Sequence, residues 1–111
     1  DKALKARFYE FNTMYLGGRL AKDTVVRYRK TFSLTGGLLS QDLGEFLVRD
    51  ESRPAIINIS PTLKKWGHTR MLILLHEMCH LKTEKEKEDH GAGWQREMRR
   101  LARVGAFDKY W

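Results

Sequence analysis

The chain has 111 residues, 41% hydrophobic and 32% charged, and its 21 lysines and arginines against 14 acidic residues give a formal net charge of +7. This length and composition predict one globular domain, 1–111, and exclude a disordered chain or a second domain. No apolar run reaches the roughly 20 residues of a membrane span, and no signal peptide is recognisable. The basic excess favours a polyanionic partner, nucleic acid above all, although a soluble protein with a basic surface fits equally well.

Cys79 is the single cysteine of the chain. It has no partner for an internal disulfide, and a Cys-rich zinc ribbon within these residues is excluded. One unpaired cysteine is typical of a reducing compartment, so we expect an intracellular protein, cytoplasmic or associated with a nucleoid or nucleus. We also expect a monomer without membrane contact. Because the chain begins with aspartate and not methionine, we expect a fragment, with a flanking domain as an open alternative.

The first predicted element is an amphipathic helix over 2–16. Its apolar side chains recur at i, i+4, i+7 and i+11, the spacing of one helical face. Gly17 and Gly18 end the helix, as glycine does at a helix C-terminus. We interpret the face as core and not as a binding platform; it consists of Leu4, Phe8, Phe11 and Tyr15.

A region rich in β-strand patterns follows this helix. Residues 24–32 are β-branched, aromatic and partly alternating, which predicts a strand, and further strands are expected near 37–41, 45–49 and 55–59. The connections between them are short, and a parallel crossover needs a dozen or more residues. The sequence therefore predicts a small sheet of three or four mainly antiparallel strands.

Three helices are predicted after the last strand, and the first two follow it directly. Ser60 and Pro61 form a helix-start pattern, with serine as N-cap and proline at the first helical position, so a short helix is expected over 61–66. A longer helix over 68–82 is apolar nearly all round, which is typical of a buried helix. The charged segment 82–89 should be exposed to solvent.

The final helix is predicted over 92–104. Trp94, Met98 and Leu101 lie on one side of it, and arginines recur at i, i+3, i+4 and i+7 on the opposite side. The basic side is either a solvated helix surface or a surface that contacts phosphates. We call it the arginine strip, and it consists of Arg96, Arg99, Arg100 and Arg103.

A His-Glu-x-x-His pattern lies inside the apolar helix. His76 and His80 are four residues apart, about one turn, so their rings point to the same side. This arrangement suits one Zn²⁺ ion, with Glu77 placed to take a proton from the attacking water. The alternative is a pair of surface histidines. The apolar surroundings argue against it, because buried polar groups are costly without partners.

The third ligand has to come from outside this turn, because catalytic zinc sites usually have three protein ligands. A continuous helix would carry His90 about 15 Å beyond His80, so the helix must stop and the chain must reverse if His90 is to bind. The charged segment and Gly91 permit that reversal. A metzincin would have Gly and His where this chain has Thr83 and Glu86.

Three other side chains are weaker candidates for the third ligand. Glu97 lies within a helix of arginines, and we expect it to pair with them. His68 is interpreted as a surface or helix-start residue. Cys79 lies away from the histidine face of its helix and is interpreted as a small core residue.

The residues from His76 to His80, followed by His90-Gly91-Ala92-Gly93-Trp94, resemble the SprT-like metalloprotease family, which includes Spartan. The likeness extends to 11–20 and 57–61, in the family's order and over most of the chain. It implies a small α+β, zincin-like fold, with His76, His80 and His90 as zinc ligands and Glu77 as catalytic base. For Spartan-like members it further implies DNA-stimulated cleavage of proteins crosslinked to DNA.

The sequence departs from this family in two respects. Bacterial SprT proteins often carry a Cys-rich zinc ribbon, and Spartan carries further DNA- and partner-binding segments; these residues contain neither. We expect a zinc metallopeptidase whose protein substrate lies along a sheet edge, with DNA at the arginine strip. The alternatives are a general intracellular zinc peptidase and a non-catalytic, zinc-containing nucleic-acid-binding module. The last fits less well, because structural zinc usually has four ligands, often cysteines.

Overall fold

The computed structural model describes residues 1–35, 38–86, 88 and 90–110, with the side chains of 31–35 and 38–42 outside the description. Within these ranges the chain is an α+β protein, as predicted, with three α-helices and five strands. The elements in chain order are α1 (Lys2–Tyr15), β1 (Val25–Tyr28), β2 (Thr31–Thr35), β3 (Leu38–Asp42), β4 (Gly44–Leu47), β5 (Ile56–Ile59), a 3₁₀ helix (Pro61–Lys65), α2 (Gly67–Lys82) and α3 (Ala92–Arg103).

The sheet is mixed, so the prediction of a mainly antiparallel sheet is wrong. The described strands of the sheet lie in the order β1-β5-β4. Strand β4 runs antiparallel to β5, with Phe46 opposite Ile57, whereas β1 runs parallel to it, with Val26 opposite the same residue. The prediction assumed pairing between strands close in sequence. Strands β1 and β5 are joined through β2, β3 and β4, a connection long enough for a parallel crossover.

The predicted strand at 24–32 is two strands, since β1 ends at Tyr28 and β2 begins at Thr31. Strands β2 and β3 pair antiparallel with each other, apart from the sheet that contains β5. The strand expected near 37–41 corresponds to β3, although residue 37 lies outside the described residues. The strand expected near 55–59 is confirmed as β5, and its four residues are all buried.

The core is formed by apolar side chains of the helices and of β5. The predicted face of α1 is buried at Leu4, Phe8 and Phe11, and Tyr15 packs partly buried against the cluster. On α2 the side chains of Leu74 and Met78 are fully buried. Burial of such side chains supplies most of the stabilisation of a domain of this size.

The end of α1 is held by Asn12, whose buried side chain makes two hydrogen bonds with the backbone of Leu20. Its Nδ2 donates to the Leu20 carbonyl at 3.3 Å, and the Leu20 amide donates to its Oδ1 at 3.1 Å. Between them, Gly17 and Gly18 adopt φ values of 64° and 69°, a region that favours glycine. This segment, part of the family resemblance, therefore reverses the chain into the core.

The position of α2 follows from the segment before it. Ser60 follows β5, and its hydroxyl accepts a hydrogen bond from the Thr62 amide at 3.3 Å, as expected of an N-cap. The short 3₁₀ helix then leads directly into α2, which packs against β4 and β5. Among the described residues, no helix is long and apolar enough to cross a membrane.

Candidate metal centre

His76 and His80 lie on one side of α2, as their spacing requires. Their ring centroids are 5.0 Å apart. His80 is 6% exposed, while His76 is partly exposed toward a cavity. The helix holds both rings rigidly because the residues around them, including Leu75 and Cys79, are fully buried.

His90 reaches this pair because the chain reverses after α2. Its Nε2 is 3.1 Å from Nε2 of His80, and its ring centroid is 5.5 Å from that of His76. One ligand nitrogen from each of the three rings lies within 4.8 Å of the others. The three histidines could therefore form a metal site, and the sequence had singled out all three.

The reversal is held by hydrogen bonds at both of its ends. At the end of α2, the Thr83 hydroxyl donates to the Cys79 carbonyl at 2.9 Å. At the start of α3, Glu86 Oε1 accepts from the Gly93 amide at 3.1 Å. A Cβ at Gly93 would lie 1.7 Å from the other oxygen of Glu86, so glycine is required for this contact. The carboxylate also suits the positive end of the helix.

Glu86 is a residue whose role the sequence analysis missed. It was considered only because a metzincin would have histidine at that position. The only sequence feature that points to this hydrogen bond is a carboxylate shortly before a helix start. The number of residues between Glu86 and Gly93 does not match a capping box. The contact therefore depends on how the loop folds.

Glu77 lies beside the histidines and is 5% exposed. Its Oε2 is 3.8 Å from Nε2 of His76. Together with the three histidines it lines a cavity of about 360 Å³, whose opposite wall is β4. A buried carboxylate next to a three-imidazole group is an arrangement that can move a proton at a bound metal.

Trp94 contacts all three histidine rings. Its ring stacks on His80 at 5.3 Å between centroids, and it lies 5.0 Å from His76 and 4.5 Å from His90. Its indole N–H also donates to the His76 carbonyl at 3.5 Å. The sequence predicted only that Trp94 lies on the side of α3 opposite the arginines. The structure adds that it is the wall against which the three rings pack.

Gly44 lets β4 pass close to α2 at the position of Glu77. A Cβ on this residue would lie 2.5 Å from Cγ2 of Ile73 and 3.1 Å from Oε2 of Glu77. Any larger residue would therefore require either the strand or the glutamate to move. No sequence pattern marked Gly44, because the contact joins elements distant along the chain.

The other candidate ligands lie outside the histidine group. Glu97 is buried and accepts hydrogen bonds from Lys82 at 2.9 Å and from Arg100 Nε at 2.8 Å, so its predicted pairing with an arginine is confirmed. Burial raises the pKa of Glu97, but the hydrogen bonds and charges of Arg100 and Lys82 outweigh this effect and hold it below its ordinary value. Exposed His68 packs near Tyr110, with ring centroids 6.0 Å apart.

Cys79 is a core residue, as predicted, and is fully buried. Burial, with a smaller contribution from the charge of Glu97, raises the pKa of its thiol to about 12. A thiol in this state stays protonated at neutral pH and is a poor metal ligand, because the thiolate is the form that binds.

The four side chains of the arginine strip differ in their exposure to solvent. Arg100 donates to Glu97 and, at 2.7 Å, to the Tyr15 carbonyl at the end of α1. It therefore ties α3 to α1 and is partly buried. Arg96, Arg99 and Arg103 are exposed. Three of the four arginines remain available for a phosphate partner.

The donor set fits a zinc ion. Two nitrogens bound to one tetrahedral zinc at about 2.0–2.1 Å are about 3.3–3.4 Å apart. The separation of 3.1 Å between Nε2 of His80 and of His90 is close to that value. Among the described residues the group holds three histidine nitrogens. Three protein ligands are typical of catalytic zinc sites, where water or substrate takes the open position.

The model of the SprT-like family matches residues 4–109. A search of curated proteins finds no match for the chain. The matched residues cover nearly the whole chain and include the histidine group, Glu77 and Trp94. The chain therefore belongs to the SprT-like family, which confirms the resemblance seen in the sequence.

Proposed function

We propose that this SprT-like domain is a zinc-dependent endopeptidase, with His76, His80 and His90 as ligands and Glu77 as the general base. The observation that carries the proposal is the convergence of three imidazoles from two chain segments, with ligand nitrogens within 4.8 Å of one another, beside a buried glutamate. Family membership supports the same chemistry.

Zinc, when bound by the three histidines, lowers the pKa of a coordinated water towards about 7 and polarises a carbonyl oxygen. The chain itself supplies the proton transfers. Glu77 lines the cavity wall next to His76, so its carboxylate can accept a proton from the attacking water as the oxygen bonds to the peptide carbon. The same carboxyl group then donates that proton to the leaving nitrogen as the C–N bond breaks.

The substrate would lie extended along β4. This strand is at the edge of the described sheet, and its residues from Gly44 to Leu47 line the cavity that holds Glu77. An extended peptide can add to such an edge by main-chain hydrogen bonds, which would place its backbone in the cavity that the three histidines and Glu77 line. A structure with a bound peptide analogue tests this arrangement, and a peptide without main-chain hydrogen bonds to β4 would discard it.

We further propose that the substrates are proteins bound or crosslinked to DNA. The net charge of +7 and the exposed Arg96, Arg99 and Arg103 support a polyanionic partner. The competing possibility is a general peptidase with no dependence on DNA. A non-catalytic zinc module is less well supported, because structural zinc sites usually have four protein ligands and the described residues supply a group of three.

One experiment separates these functions. A DNA-binding protein is incubated with the wild-type domain and with Glu77→Gln, each with zinc and each with and without DNA. Cleavage that requires both Glu77 and DNA supports the repair function. Cleavage that requires Glu77 but not DNA supports the general peptidase, and no cleavage by the zinc-loaded wild type under any of these conditions contradicts the peptidase proposal.

A further inference from the structure

Three polar side chains cross the sheet at one level. Arg27 on β1 and Glu45 on β4 are both register partners of Asn58 on β5, the strand between them. Nε of Arg27 donates to Oδ1 of Asn58 at 2.8 Å, and Nδ2 of Asn58 donates to Oε1 of Glu45 at 2.8 Å. We call this group the polar clamp, and it consists of Arg27, Asn58 and Glu45.

The charges at the two ends of the polar clamp fix the orientation of the amide between them. Asn58 is fully buried, so both its carbonyl oxygen and its amino group need hydrogen-bond partners. The guanidinium donates to the oxygen, and the carboxylate accepts from the amino group. A flipped amide would set donor against donor and acceptor against acceptor. Because each hydrogen bond involves a charged group, both are stronger than bonds between neutral groups.

The polar clamp lies on the face of the sheet that points away from the metal centre. Successive side chains of a strand alternate between the two faces. Gly44 faces α2, since a Cβ there would meet Ile73 and Glu77, so the side chain of Glu45 is on the opposite face. The clamp therefore reaches the metal centre through the backbone of β4, which lines the cavity.

Strand β4 depends on such a tether because it is short and lies at the edge of the described sheet. Its four residues are only partly buried, and it pairs with β5. The start of the strand is held by the Ser60 amide, which donates to the Leu43 carbonyl at 2.9 Å. A slip of one residue along β5 would move every side chain of β4 to the other face. The wall next to Glu77 would then carry a side chain in place of Gly44.

We propose that the polar clamp holds β4 in the register and at the distance that the metal centre requires, which makes Arg27 a positioning residue for a cavity that it does not line. Arg27 and β4 are two strand spacings apart, roughly 10 Å. The effect of Arg27 on the reaction rests on the proposed peptidase function, whereas its effect on β4 does not.

The first experiment replaces Arg27 and measures peptide cleavage. Arg27→Met keeps the length of the side chain but removes the donor to Asn58. We expect kcat/KM for a free peptide to fall about 10- to 100-fold with zinc content unchanged, since a small displacement of a reacting group can cost about 10²-fold. The matched control is Arg29→Met, which removes the same charge from an exposed residue just after β1 and should cleave at the wild-type rate.

Arg27→Gln separates the hydrogen bond from the charge. The amino group of glutamine stands at the same place along the side chain as Nε of arginine, so it can still donate to Asn58. This variant should recover most of the rate that Arg27→Met loses. A rate as low as that of Arg27→Met would show that the hydrogen bond to Asn58 does not carry the effect, and the proposal would fail.

Hydrogen exchange of the β4 amides tests the polar clamp without any reaction, because it measures local opening of the strand. In Arg27→Met these amides should exchange roughly 10- to 100-fold faster relative to those of α1, the range expected for loss of one hydrogen bond to a charged group. In Arg29→Met they should exchange as in the wild type. Thermal unfolding should show that all the variants are folded.

Four outcomes would each overturn the proposal: wild-type exchange of β4 in Arg27→Met, faster exchange with an unchanged rate of cleavage, an equal loss of rate in Arg29→Met, and loss of zinc in Arg27→Met. The last would mean that Arg27 acts on the histidines and not on β4. If the wild type cleaves nothing but β4 exchange responds as described, the peptidase proposal fails and the hold of the polar clamp on β4 stands.

Discussion

Helix α2 carries two regions that differ in how their side chains are held. In its last turns, His76, Glu77 and His80 pack against Trp94 and the strand β4, so each functional atom has a defined place. At its first turn, Arg70 and the neighbouring Lys64 extend along an open groove. The first region is closely packed, whereas the second is cationic and open to solvent.

This difference predicts different responses to substitution. Displacing a reacting group in a packed site costs much of the rate even when the fold survives. Removing one cation from a solvated groove weakens the binding of an anion gradually and in a salt-dependent way. The following predictions compare closely packed groups with exposed control positions, from the largest effect to the smallest.

Glu77→Gln should lower kcat for peptide cleavage by about 10²- to 10⁴-fold, the usual contribution of a general base. Glutamine has nearly the same shape but cannot accept the proton at neutral pH. Metal content, measured by elemental analysis after gel filtration, should equal that of the wild type. Retained activity would contradict the general-base assignment, and lost metal would mean that Glu77 acts mainly by holding the site together.

His90→Ala should weaken metal binding by more than the roughly 10- to 100-fold that loss of an outer-shell partner costs. The variant leaves two histidines on one helical turn, which is an incomplete zinc site. The measurement is a competition titration against a chelator. His68→Ala is the matched control and should bind metal normally; equal affinities in the two variants would place the third ligand elsewhere.

Gly44→Ala should lower kcat by about 10- to 100-fold with metal content unchanged, because the new methyl group has to displace Ile73 or Glu77. Gly67→Ala is the control, since its Cβ would meet only the flexible end of Arg70 at 3.7 Å. Ile73→Leu removes the Cγ2 methyl that the new side chain meets first. It should restore part of the rate in the Gly44→Ala background, and full activity of Gly44→Ala itself would show that the close approach does not position Glu77.

Glu97→Gln should lower the free energy of unfolding at neutral pH by about 1.5–3 kcal/mol, the value of hydrogen bonds to a charged group. The pKa of Glu97 is lower in the folded protein than its ordinary value. Its contribution is therefore fully present above the ordinary carboxyl pKa and is lost as the pH falls through the folded-state pKa.

Melting curves of wild type and Glu97→Gln at several pH values check this expectation, and the difference between them should shrink on acidification. Glu10→Gln serves as the control, because Glu10 forms an exposed pair with Arg7 and should change stability little. A difference between wild type and Glu97→Gln that does not depend on pH would contradict the account.

The features that were predictable from the sequence are those that arise within a short stretch of chain. The bounds of α2 were predicted to within one residue, and the Ser60-Pro61 start pattern marked the short helix before it, because helical periodicity and start patterns act locally. The same periodicity placed His76 and His80 on one face. His90 could be selected because its distance along the chain required a reversal that Gly91 and the charged segment allow.

Several of the features that were missed join elements that are distant in sequence. The parallel pairing of β1 with β5 was predicted wrongly, because strand partners are selected by packing of the whole sheet. The hydrogen bond from Arg100 to the Tyr15 carbonyl joins residues 85 positions apart. It holds Arg100 against α1, so this side chain is less exposed than the rest of the arginine strip. No periodicity or motif carries such information.

The sequence by itself determined the helix that bears the histidines, the identity of the three imidazoles and the family. The tertiary structure alone decided that Trp94 braces the three rings, that Glu86 holds the start of α3, and that β4 approaches Glu77 through Gly44. The physical reason is the range of the interactions. Turn-by-turn periodicity is set by neighbours in sequence, whereas close packing is set by whichever side chains the completed fold brings together.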